Sequence, residues 1–80
     1  MKILIHKIEK ETEKAYQISC QVSWNANYYE KKIWMPKSVI EEIKPTACGK
    51  GLFVTVKEWF IRKTEEEKAF HGYPMRFDTI

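Results

Sequence analysis

Nine consecutive residues constrain this chain more than any other feature. From Tyr16 to Trp24, the series Tyr16, Ile18, Cys20, Val22 and Trp24 alternates without a break with Gln17, Ser19, Gln21 and Ser23. Successive side chains of a β-strand point to opposite faces, so alternation of this length requires a strand with one buried and one solvated face. A helix would scatter the same residues around its circumference. Such a strand needs a sheet, and 80 residues provide one domain, 1–80, with a single small core.

The flanking segments are read from the same physics. Lys2 to Ile8 reads as a first strand, and the charged run Glu9 to Lys14 as an exposed turn. Asn25-Ala26-Asn27 closes a hairpin, because Asn tolerates the left-handed backbone of a tight turn. Tyr28 to Met35 returns as the partner strand. Both of its faces carry apolar groups, Tyr29, Lys31, Ile33 and Met35 on one and Tyr28, Glu30, Lys32 and Trp34 on the other, so its register stays open. Pro36 ends it.

Ser38 and Glu41 have capping-box spacing and predict a short helix to about Lys44, stopped by Pro45. The segment Pro45 to Gly51 is a loop, and Leu52 to Val54 begins another strand. Thr55 and Glu58 repeat the capping spacing and open a long helix to about Phe70, with Glu58–Arg62 and Lys63–Glu67 as i,i+4 pairs and Gly72 as its stop. Tyr73 to Ile80 is a short last strand or a docked tail. The expected fold is α+β: a small antiparallel sheet of three to five strands packed on one long helix, in the order β-β-β-α-β-α(-β). A small OB/SH3-like barrel is the alternative.

Composition enters through charge and aromatics. Fourteen basic and eleven acidic residues give +3, which permits nucleic-acid contact without demanding it and disfavours a mimic of DNA. Aromatic residues are 14% of the chain, many for so small a core. Tyr16, Trp24, Phe53, Phe60 and Phe70 are expected to fill it, which leaves Tyr28, Tyr29, Trp34, Trp59 and Tyr73 for the surface. No apolar run reaches membrane-spanning length and the N-terminal one is too short for a signal peptide, so the expected setting is cytoplasmic with reduced thiols.

Three short segments carry a resemblance. Thr12-Glu13-Lys14-Ala15 opens the alternating strand, Trp34-Met35-Pro36-Lys37-Ser38-Val39-Ile40 follows later, and Val54-Thr55-Val56-Lys57-Glu58-Trp59-Phe60 leads into the long helix. Over roughly residues 12 to 63 the chain resembles small uncharacterised proteins of phages, prophages and gut bacteria with a TEKA-type strand, W-x-P-K-S and V-x-E-W segments. The resemblance implies an origin in a mobile element or its host, and no catalytic residue.

Catalytic and metal chemistry find little support. His6, His71, Cys20 and Cys48 are the soft ligands, but no pair has the close spacing of a structural zinc site. Cys48 in its loop would need His71 or another base beside it, and nothing in the sequence brings them together. Glu65-Glu66-Glu67 and Glu41-Glu42 diverge on a helix and make no acid–base pair. The reading is therefore a non-enzymatic binding module without cofactor or metal.

Its candidate surface is Tyr28, Lys31, Lys32, Trp34 and Lys37, with Trp59 on the helix as a further exposed aromatic. Aromatic faces stack on splayed bases while lysines neutralise phosphates, so the expected partner is single-stranded nucleic acid. The alternative is a protein-interaction module: an inhibitor or modulator of a host, phage or defence complex, or a self-associating subunit.

Overall fold

A computed structural model describes residues 1–79. The elements run β1 (Lys2–Ile5), β2 (Lys7–Glu11), β3 (Ala15–Trp24), β4 (Asn27–Pro36), a 3-10 turn (Lys37–Val39), β5 (Ile40–Pro45), β6 (Leu52–Val56), α1 (Glu58–Glu67) and β7 (Arg76–Phe77). The strands form two antiparallel sheets, ordered β1-β6-β5 and β2-β3-β4, with β7 on the other side of β3 from β4.

This overturns the expected sheet on one long helix. The helix spans ten residues rather than reaching Phe70, and two sheets supply most of the core. Nor do the strands form one ring of the OB/SH3-like kind, since among the described residues no ladder joins β4 to β5.

Three local readings change with it. The first strand breaks at His6 and continues as β2 through Glu11, so the first half of the charged run is strand and only Thr12 to Lys14 turn. Here a β-bulge lies between Ile8 and Lys10. The capping-box reading at Ser38 fails: Ile40–Pro45 is a strand on β6, again bulged, between Ile40 and Glu42. Only a few residues separate Pro36 from Pro45, too few to stabilise a helix, whereas pairing with β6 satisfies the backbone directly. Thr55 likewise sits in β6, and the helix starts after Lys57 without a side-chain cap.

β3 is the strand its alternation requires, with Ile18, Cys20 and Val22 buried. The hairpin closes on two residues, Asn25 and Ala26, both left-handed at φ 46 and φ 65. Burial of Ile33 and Met35 settles β4's register and places Tyr28, Glu30, Lys32 and Trp34 on the opposite face. Pro36 belongs to this strand; on the open edge its missing N–H costs no ladder bond.

The core is aliphatic rather than aromatic. Ile3 and Ile5 of β1, Val54 and Val56 of β6, Ile18 and Val22 of β3, and Ile61 of α1 are all almost fully buried. Phe77 is the one buried aromatic among the described residues, while Phe70, expected inside, is 63% exposed. Tyr16, Trp24 and Phe60 pack only partly against the core. A ten-residue helix is marginal alone, so α1 depends on burial of Ile61 and Thr64. Burying a side chain such as Ile61 is worth roughly 1.5–3 kcal/mol. Glu65 then docks the C-terminal segment: its carbonyl accepts from Met75 N at 3.1 Å and its carboxylate from Phe77 N at 3.1 Å.

Candidate nucleic-acid interface

The solvated face of the β2-β3-β4 sheet is built from rows of side chains across the strands. Directly paired residues share a face, so Trp34, Gln17 and Lys10 make one row and Lys32, Ser19 and Lys7 the next. Near the hairpin tip, Tyr28, Ser23 and Arg76 make a third, the last residue coming from β7. Each row has an aromatic or lysine on β4 and a cation two strands away, about 10 Å across at 4.7–4.9 Å per strand. Tyr28 is 71% and Trp34 47% exposed. A depression of about 440 Å³ is lined by Tyr28 and Arg76 together with Gln21, Ser23 and Asp78.

Between the second and third rows, Glu30 opposite Gln21 places a carboxylate on this face, and it is already engaged. Glu30 Oε1 accepts from Ser19 Oγ at 2.7 Å and lies 3.3 Å from His6 Nδ1. The Ser19 hydroxyl above all, then His6, holds the Glu30 carboxyl below its ordinary range. Lys7 lies 3.6 Å from Glu9. Lys10, Lys32 and Arg76 enter no ion pair among the described residues.

Of the residues singled out from the sequence, Tyr28, Lys32 and Trp34 come together on this face. Lys31 does not, because it points the other way and its Nζ sits 5.4 Å from the centroid of the Trp24 ring. Lys37 turns to the opposite side as well. Its ammonium is 2.5 Å from Glu11 Oε2 and 4.8 Å from the Tyr16 ring centroid, and the Glu11 contact raises its pKa. Trp59, 57% exposed, stands on α1 edge-on to Phe60 at 5.9 Å.

Sequence reasoning missed Lys7, Lys10 and Arg76. They lie in charged or terminal segments, and only long-range strand pairing brings them beside β3. It also missed a groove of about 610 Å³ on the other side of β4, lined by Trp24, Tyr29, Glu30, Lys31, Lys68 and Phe70. There the Trp24 and Tyr29 rings meet edge to face at 5.5 Å.

No group of three His, Cys, Asp or Glu side chains that could hold a metal ion occurs among the described residues. Cys20 is buried and Cys48 exposed, and both are free thiols. No helix of the described residues is long and apolar enough to cross a membrane. No protein-family model, curated protein or solved structure matches the chain.

Proposed function

We propose that this protein is a non-enzymatic module that binds single-stranded nucleic acid on the solvated face of the β2-β3-β4 sheet. The observation that carries the reading is the pairing, across one face, of exposed Tyr28 and Trp34 with Lys7, Lys10, Lys32 and Arg76. Bases stack on the aromatics of β4 and the phosphates run toward the cations of β2 and β7. Stacking on an aromatic contributes about 1–3 kcal/mol per base and tolerates any sequence, since every base has a π-face. A duplex hides those faces, which favours single strands. We further propose, on the resemblance of its short segments to phage and prophage proteins alone, a role as an accessory factor of a mobile element.

Fluorescence anisotropy with a labelled oligonucleotide tests this. Trp34→Ala is expected to weaken binding by roughly tenfold, the loss of one stacking platform. Lys32→Ala and Lys10→Ala reduce the slope of log affinity against log salt by about one phosphate each, close to 0.7 for single strands. Lys37→Ala, neutralised by Glu11 on the other side, leaves both affinity and slope unchanged. Absence of binding to single-stranded DNA or RNA at low salt would overturn the reading.

A protein partner is the second reading, favoured by the groove beside β4. Its Trp24, Tyr29 and exposed Phe70 offer the aromatic anchors that dominate protein interfaces. Salt-insensitive capture of a stoichiometric partner, lost in Phe70→Ala, distinguishes it from the first.

A further inference from the structure

β4 is the last strand of its sheet, and among the described residues nothing pairs with its outer edge. It is ten residues long, and from Asn27 to Lys32 every residue is exposed. An edge of this kind is a template for another strand unless charges block it. Here the charges are Glu30, Lys31 and Lys32, and their order determines what they block.

The hairpin fixes which backbone groups face outward. With a two-residue turn, Trp24 and Asn27 form the first hydrogen-bonded pair of the β3–β4 ladder. Hydrogen bonding alternates from there, so Asn27, Tyr29, Lys31, Ile33 and Met35 turn their amides and carbonyls toward β3. Tyr28, Glu30, Lys32 and Trp34 turn theirs to the open edge.

We propose that a second copy of this chain pairs antiparallel with that edge, β4 against β4, about a two-fold axis through Lys31. The inference goes beyond nucleic-acid binding and stands without it. About this axis Glu30 faces Lys32 of the second copy, and Tyr28 faces its Trp34. Each match occurs twice, and all four residues are those with outward backbone groups. The axis at Glu30 would set carboxylate against carboxylate, and the axis at Lys32 ammonium against ammonium. Lys31 is the one like-charge meeting, and its ammonium leans back over Trp24 on β3, away from the seam. The charge order therefore disfavours the neighbouring axes at Glu30 and Lys32 and favours the one at Lys31. Paired in this way, the two sheets become one, and their rows of aromatics and cations continue across the junction.

Sedimentation equilibrium over a wide concentration range tests the pairing, with far-UV circular dichroism to verify folding. The wild type is expected to pass from 9.6 kDa to twice that mass. Glu30→Lys alone and Lys32→Glu alone each place like charges at the seam and return the monomer. The double variant Glu30→Lys/Lys32→Glu restores both matches and the dimer, which no other axis provides.

A covalent readout is independent of affinity. In a Cys48→Ser background with oxidised glutathione as oxidant, Lys31→Cys places two thiols opposite each other in a non-hydrogen-bonded pair about 4.5 Å apart at Cα, within disulfide reach. It is expected to cross-link, while Tyr29→Cys is not. A wild type that stays monomeric up to about 1 mM overturns the proposal. So does a double variant that remains monomeric, or cross-linking through residue 29 in preference to 31.

Discussion

The indole of Trp24 donates its Nε1–H to the carbonyl of Lys68 across 2.9 Å, joining the last residue of β3 to the end of α1. A helix leaves its final carbonyls without intrahelical partners, and this bond satisfies one of them from another element. Trp24→Phe keeps an aromatic body beside Tyr29 and removes the donor. It should cost about 1 kcal/mol, read as a lower urea midpoint at unchanged slope. Deuterium exchange should rise in the last turn of α1 and not in β3.

Ala26 holds a left-handed backbone that favours glycine, with φ 65 beside Asn25 at φ 46. A Cβ there meets the neighbouring carbonyl, at a cost of about 1–2 kcal/mol. Ala26→Gly relieves that strain and adds disorder to the unfolded chain. The net gain should be about 0.5 kcal/mol, visible as a raised thermal midpoint.

Glu30 connects stability to pH. Its folded carboxyl lies below the ordinary value of 4.5, chiefly because the Ser19 hydroxyl donates to it, with His6 second. A depressed folded value means that its contribution is present above 4.5 and fades as pH falls through the lowered value. Ser19→Ala should move the Glu30 midpoint upward in a carboxyl ¹³C titration and flatten the acid limb of the stability profile. A midpoint unmoved by Ser19→Ala would contradict the assignment.

The two thiols should differ sharply in reactivity. Burial first, then the nearby charges of Glu30 and Asp78, pushes Cys20 up to about 12. Cys48 is exposed and lies below its ordinary range, because the Thr46 hydroxyl and the Lys50 backbone hydrogen-bond its sulfur. Since the thiolate is the reactive form, an aromatic disulfide reagent at pH 8 should label one cysteine in the native protein and two after denaturation. Cys48→Ser should abolish the native signal.

What could be read in advance depended on how many forces pointed the same way at each residue. β3 was legible because alternation and burial coincide at Ile18, Cys20 and Val22; Ser19 on the polar face is buried as well, where it hydrogen-bonds Glu30. β4 was not, because Asn27 to Lys32 are exposed on both faces and burial of Ile33 and Met35 alone distinguishes them. Ser38 and Glu41 have the spacing of a helix start, and no local signal shows that β6 lies ready to pair with Ile40–Pro45. At the site, Tyr28, Lys32 and Trp34 follow from period two within one strand. Lys31 and Lys37 are close in sequence yet face the other way, and Lys7, Lys10 and Arg76 arrive through pairings no local pattern encodes.

The break at His6 gives β1 and β2 to different sheets, and this sets an order of events during synthesis. β2, β3 and β4 are consecutive, so their meander can close once residue 36 has emerged from the ribosome. β1 must wait for β6, where Lys2 meets Thr55 and Ile5 meets Leu52. Until then Ile3 and Ile5 have no sheet partner, and a nascent chain stalled between residues 36 and 52 exposes both to chaperones or to other chains.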